Sequence, residues 1–433
     1  MRVAANGIIE RIDAQPDEHA RPLPGVVIPG MPNVHSHAHQ RLIAGLTGRH
    51  GSDEDSFWSW RDQMYRAIGL LSAEDLETLA TWLYCELIEG GYTVTGEFHY
   101  PHRLAECDPV ETSQALLSAA EQAGCGLTLL PVWYRYSGFG RKAPTAEQAP
   151  FILGRHAFGE LIEQLGGPMD PDGLHRIGMA PHSLRAVDVA DLAELVSAIP
   201  EVPVHIHISE QPAEVEACLA ATGKRPIELL AEHVELDARW CLIHATHAND
   251  DEIATLSKSD AVVGLCPTTE ADLGDGVFPA DRLLETGGRL AIGSDSNLVT
   301  SAAAELQLLE WTARLTRNQR NVLVGQQGGH IGKRLWTLAA TCGAQALAQP
   351  VGALVPGRRA DFIVLDQQHP LLSGLGPDQQ LDTLVTTGRS DLINEVHVVG
   401  KCLVQGGKHR LKDALADDFA RLRARLAQHG ASP

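Results

Sequence analysis

Two periods alternate along this chain. Eight short apolar runs rich in strand-forming residues recur: Val26–Val34, Tyr92–Tyr100, Gly126–Tyr134, Arg176–Leu184, Val202–Ser209, Trp240–Thr246, Ala261–Thr268 and Arg289–Asp295. Between many of them apolar residues return every three or four positions, the signature of a helix with one buried face. The stretch after Ser72 shows it best. Ser72 with Glu74 and Asp75 makes a helix cap and an acidic first turn, and Leu76, Leu79, Ala80, Leu83 and Leu87 form one stripe. Gly90 and Gly91 then end the helix. Strand alternating with helix predicts an α/β fold with a parallel sheet, and eight such strands predict a closed (β/α)8 TIM-like barrel over residues 26–349. A doubly wound open sheet is the competing arrangement.

The ends read differently. Residues 1–25 and 350–410 lack the alternation and carry short strands with Gly/Pro turns, as in VGALVPGRRADFIVLD and Glu395–Val404. They predict a small β-sandwich domain built from both termini. The last stretch, 411–433, has Leu and Ala at helical spacing over Lys412–His429 and predicts a surface helix. Pro144–Pro150 reads as a polar loop.

With 433 residues, 44% of them hydrophobic, the chain can bury a large core. A formal charge of −20 argues against nucleic acid or an anionic membrane as partner. It also means that an anionic small molecule would need local arginines to hold it. The eight cysteines are scattered without a CxxC pair, which predicts reduced thiols in a cytoplasmic protein. The start, MRVAANGIIERIDA, has no signal pattern, and no apolar run approaches membrane-spanning length. A homodimer is the expectation for a soluble enzyme.

The candidate chemistry begins at NVHSHAHQR, where His35 and His37 lie two apart in extended chain and so face one side. With 20 histidines present, such a pair alone says little. It gains weight from the other predicted strand ends, where a barrel carries its catalytic groups. Strand four ends in Pro181-His182-Ser183-Leu184-Arg185, strand five in His205 to Glu210, strand six at His244 and strand eight at Ser294-Asp295-Ser296. Either His205 or His207 can face inward by the same alternation. Three neutral imidazoles and one carboxylate suit a divalent, zinc-like ion and leave a position for water. His39 and His247 read as packing or polar-loop residues, and Trp58, Trp60 and Tyr65 as core aromatics. No GxGxxG loop marks a nucleotide site.

This arrangement resembles the amidohydrolase superfamily, in its mononuclear deaminase branch, from the HSH turn through GSDS to PGRRADFIVLD. The resemblance implies His35, His37, His207 and Asp295 as metal ligands. It implies Glu210 as proton shuttle and His244 as hydrogen-bond partner of the attacking water or the tetrahedral centre, so that Glu210, His244 and Asp295 are the catalytic set. No strand-four lysine offers a bridge between two metals, so one ion is implied, Zn2+ ahead of Fe2+ or Mn2+. HSHAHQR, DSFWSWRDQMY, GEFHY, APHSLR, HISEQ, LIHATH and GSDSN resemble, more closely, members of that branch acting in histidine breakdown. These hydrolyse N-formimino-L-glutamate to N-formyl-L-glutamate and ammonia. That similarity implies Gln40, Arg61, Tyr100, His182 and Arg185 as substrate-contacting residues. The chemistry agrees: a dicarboxylate amidine on an acidic protein needs two guanidinium groups for its carboxylates, and a nucleobase has no use for them. The alternative is a deaminase of guanine, cytosine or an adenosine derivative.

Overall fold

The computed structural model describes residues 1–15, 20–46, 64–104, 107–166, 173–326 and 328–430. Eight parallel strand positions follow one another around a ring. They are β1 (Met31–Ser36), β2 (Tyr92–His99), β3 (Gly126–Trp133), β4 (His175–Ile177, continued by Ala180–Pro181), β5 (Val204–Ile208), β6 (Trp240–His244), β7 (Val262–Leu265) and β8 (Arg289–Ile292). β1 to β4 pair in sequence order, as do β5 to β8. Parallel bridges at Met179–Val204 and Ser36–Asp295 join the two runs, so the sheet curls into a barrel rather than lying open. Strands covered on both faces should read as continuous apolar runs. β3 does, and every residue of β2 and β3 is buried, although β2 carries Thr93, Thr95, Glu97 and His99 among its apolar positions. Val34, Val94, Cys241, Ile243, Val262 and Ala291 pack together with Leu347 and Val351 as one cluster.

The helix foreseen after Ser72 spans Ala73–Glu89, with Ser72 and Asp75 in a reciprocal capping box and the predicted leucine stripe buried. Closure of the ring at the other end depends on an absent side chain. A Cβ on Gly293 would lie 2.8 Å from the His35 nitrogen and 2.9 Å from its oxygen. Glycine lets β8 approach β1 closely enough for Asp295 N–H to reach the His35 carbonyl at 2.9 Å and for His37 N–H to reach the Asp295 carbonyl at 2.9 Å.

The first apolar run, read as one strand over Val26–Val34, is two strands. Val27–Pro29 pairs antiparallel with Phe362–Leu365, whereas Met31–Ser36 joins the barrel. Pro29 has no N–H to continue a ladder, and at Gly30 the chain changes sheets. The termini build a five-stranded antiparallel sheet in the order Lys408–His409, Lys401–Gln405, Ile393–Val398, Phe362–Leu365, Val27–Pro29. A two-stranded ribbon, Arg2–Val3 with Ile9–Arg11, is tied on by a bridge between Ile8 and Arg359. Beneath this sheet Arg359 and Asp361 form a buried ion pair, both only 2% exposed. Its bonds are 3.0 and 2.7 Å, and Gln349 Oε1 accepts a further guanidinium N–H at 3.0 Å. A helix at Pro377–Thr387 interrupts the segment read as strands alone. The C-terminal helix, Lys412–Gly430, stacks Phe419 on Trp82 at 4.8 Å. All eight cysteines are free, and among the described residues no helix is long and apolar enough to cross a membrane.

Candidate metal centre and substrate cleft

The carboxyl ends of β1, β5, β6 and the turn after β8 converge on one point. His35 and His37 bring their Nε2 atoms to 3.1 Å, and His207 brings its own to 2.9 Å from that of His35. Asp295 Oδ1 lies 3.6 Å from His35 Nε2 and 3.4 Å from His37 Nε2. A tetrahedral ion with bonds of ~2.1 Å needs donors roughly 3.4 Å apart, and these four straddle that spacing. The orientation fits as well. His37 Nδ1 faces the Phe98 carbonyl at 2.9 Å and His207 Nδ1 the His182 carbonyl at 3.2 Å. Each such bond holds the proton on Nδ1 and turns the Nε2 lone pair toward the shared point. Burial lowers the pKa of all three imidazoles, that of His37 to about 3, and the rings depress one another. They are neutral, the form that ligates. Lone pairs this close repel unless a cation lies among them. The donor set therefore fits one divalent ion.

Backbone strain gathers at the same place. Ser209, His244, Ala245 and Asp295 all have left-handed φ, between 45° and 68°, at the ends of β5, β6 and β8. Non-glycine residues hold this conformation only where their surroundings impose it, typically at functional sites.

Around the donors stands a ring of acids. His244 Nε2 is 3.7 Å from both Glu210 Oε1 and Asp295 Oδ2, and its Nδ1 is 3.2 Å from Glu270 Oε1. Burial alone would lower the His244 pKa, but Glu210, the bond to Glu270 and Asp295 raise it to about 10. Burial, with Glu210 and Glu270 beside it, pushes Asp295 up to about 7 against the pull of His244. So much negative charge in one buried place calls for a cation.

These groups open onto a cleft of about 600 Å³, measured to its mouth, lined by His37, His207, Glu210, His244 and Asp295 on one side. Gln40, Tyr100, His182 and Arg185 share that cleft, with Tyr65, Tyr134 and Phe151 among its aromatic walls. Gln40 Nε2 donates to the Tyr100 hydroxyl at 3.1 Å, and Gln40 Oε1 is buried with no hydrogen-bond partner among the described residues. Among the described residues the buried Nε of Arg185 has no acceptor, and no carboxylate comes within ion-pair distance of it. Burial works against its charge, yet Glu214, Tyr134 and Glu210 hold its pKa above the usual value.

Of the residues expected at the site, ten of the eleven lie here together. Arg61, with Trp58 and Trp60, is outside the described residues. His205 sits one inward position earlier on β5 than His207 and is bound through Nε2 to the Ala346 carbonyl at 2.8 Å. His247 is a loop residue held to the Asp275 carbonyl at 2.8 Å, and His39 packs its ring edge-on to Tyr100. Two acids were not foreseen. Glu270 follows β7 by a few residues, where strand-end reasoning could have found it. Glu97, inside GEFHY, receives Ala38 N–H at 2.6 Å and Ser36 hydroxyl at 3.0 Å and so fixes the turn that carries His35 and His37. Burial raises its pKa to about 8 against these hydrogen bonds. Phe151 directly follows the Pro144–Pro150 segment read as a loop, at the end of a 3-10 turn over Ala146–Phe151.

Relatives share this architecture. A formimidoylglutamate deiminase of Pseudomonas aeruginosa is 44% identical over 431 residues, covering 98% of this chain and 95% of that protein. The crystal structure of an amidohydrolase from Brucella melitensis superposes with a TM-score of 0.90 at 39% identity, covering 98% of this chain and 95% of that one. An adenosine deaminase from Xanthomonas campestris with bound zinc shares the fold, with a TM-score of 0.77 at 21% identity over 94% of this chain and 87% of that one. Residues 26–402 match the Amidohydrolase family, and the chain belongs to that family.

Proposed function

We propose that this chain is a formimidoylglutamate deiminase, which hydrolyses N-formimino-L-glutamate to N-formyl-L-glutamate and ammonia. The observation that carries this reading is the polarity of the cleft. One end gathers Glu210, Glu270 and Asp295 around the candidate metal centre, and the wall holds Arg185, which has no carboxylate partner among the described residues. An amidinium fits the acidic end, and a substrate carboxylate fits the guanidinium, where a bidentate pair is the strong arrangement. The 44% identity to the Pseudomonas deiminase over nearly the whole chain supports the same substrate.

His35, His37, His207 and Asp295 would hold one divalent ion, and their three nitrogens and one oxygen favour zinc. Such an ion supplies Lewis acidity that makes water a competent nucleophile near neutral pH. Asp295 and His244 orient the attacking water, and Asp295 draws off its proton. His244 Nε2 then donates to the oxygen that gains charge as the formimino carbon becomes tetrahedral. Glu210 delivers a proton to the departing nitrogen, so ammonia leaves instead of an amide anion. Overall one water adds across the C=N bond, the carbon keeps the oxygen, and the nitrogen leaves. Gln40, Tyr100 and His182 line the path from the reacting carbon toward Arg185, and we assign them to the rest of the substrate.

The test is ammonia release from formiminoglutamate, formiminoaspartate, guanine and adenosine, with metal content measured on the same sample. Turnover should be greatest on formiminoglutamate and absent on the nucleobases. Turnover of guanine or adenosine with none on either formimino acid would overturn the assignment.

A further inference from the structure

Glu270 lies on the helix Pro267–Leu273 that follows β7, and nothing in the reaction above gives it a task. It is only 6% exposed. Its Oε1 serves two donors: the Cys266 backbone N–H at 2.8 Å and His244 Nδ1 at 3.2 Å. The first bond pins the carboxylate to the end of β7, so the second acts on His244 from a fixed point. Capping a helix takes only a short polar side chain, whereas a buried carboxylate is costly unless it is paired. The imidazole it faces has one ring nitrogen left, Nε2, and this looks toward Glu210 and Asp295 at 3.7 Å each.

We infer that Glu270 is a positioning residue, which keeps a proton on His244 Nδ1 and thereby commits Nε2 to the reacting atoms. With Nδ1–H held by Glu270, Nε2–H is the ring group turned to the reacting atoms, where it donates to the oxygen of the tetrahedral carbon. The Glu270 carboxylate lies behind the ring and fixes its orientation. Without Glu270 the ring can turn over, which takes that donor away from the reacting atoms. The catalytic consequence rests on the proposed hydrolysis; the hold on the ring does not.

The experiment compares Glu270→Ala and Glu270→Gln with the parent, in protein labelled with 15N-histidine. His244 signals are identified by their loss in His244→Gln. The parent should show a His244 Nδ1–H held in a hydrogen bond, and Glu270→Ala should lose that hydrogen-bonded signal. With metal content unchanged, kcat of Glu270→Ala should fall about 10–100-fold, with KM within about threefold. Glu270→Gln, which retains an acceptor oxygen, should fall between the two. An unchanged Nδ1–H signal, an unchanged kcat per metal-loaded folded enzyme, or a loss that merely follows metal content would each overturn the inference. A fall in melting temperature alone would leave Glu270 as a helix cap. Should Glu270→Ala fail to fold, the nearly isosteric Glu270→Gln decides by the same readings. Absence of formimino-acid turnover in the parent would sink the functional reading, and the Nδ1–H signal would still judge Glu270.

Discussion

Arg359 and Arg185 both carry their charge inside the molecule, and their surroundings treat them in opposite ways. Arg359 has its Nε, Nη1 and Nη2 each facing an oxygen, two from Asp361 and one from Gln349, and Asp361 also accepts the Val399 N–H at 2.9 Å. Gln349 Nε2 in turn lies 3.3 Å from the Thr128 hydroxyl of β3, so the network fastens the terminal sheet to the barrel. Arg185, at the wall of a cleft, has an Nε without an acceptor among the described residues. The histidines divide along the same line. His409 donates from Nε2 to the Ala123 carbonyl at 3.0 Å and accepts the Leu411 N–H on Nδ1 at 3.2 Å, so both nitrogens are used. His35, His37 and His207 instead crowd their Nε2 atoms together. Groups whose hydrogen bonds close among themselves hold the fold, and buried groups left incomplete mark where something else binds.

The contrast can be broken by removing each arginine in turn. The largest effect belongs to Arg359→Ala, which strands the Asp361 carboxylate and should cost about 3–5 kcal/mol of stability. Denaturant melts should show that loss, while KM of the folded fraction stays near the parent value. Arg185→Ala should reverse the pattern: kcat/KM on formiminoglutamate falls about 100-fold, because a substrate carboxylate loses its partner, and the melting temperature hardly moves. Equal losses of activity and stability in both variants would erase the distinction. A smaller effect sharpens it on the structural side. Burial holds the His409 pKa at about 4, against a hydrogen bond to Ala123 that raises it. A depressed histidine contributes stability that is fully present above pH 6.5 and is lost as the pH falls toward 4. Melting temperature should therefore drop over that window, and His409→Gln should drop less steeply.

Much of this could be read from residue order because the signals were local. His35 and His37 share a side through strand periodicity, and the Ser72 cap with its leucine stripe needs nothing beyond one helix. The groups that escaped depend on tertiary placement. Val26–Val34 is apolar but for Asn33, and only pairing partners more than 300 residues away reveal that Val27–Pro29 serves a different sheet from Met31–Ser36. The place of Glu270 after β7 marks it as a candidate, but its role comes from His244, 26 positions earlier. Phe151 reaches the cleft from just after a stretch that looks merely polar, and the Pro377–Thr387 helix hides between strands whose Gly/Pro turns dominate the pattern. Arg61, the second guanidinium implied for the substrate, falls outside the described residues.

The contact at Gly293 limits how this catalyst can be reshaped. A single methyl there would push apart the segments bearing His35 and Asp295, so their alignment depends on a lone hydrogen atom at the seam of the barrel. Libraries seeking activity on other amidines can start from Tyr65 at the cleft wall, whereas any design that loads a side chain onto position 293 moves His35 away from Asp295.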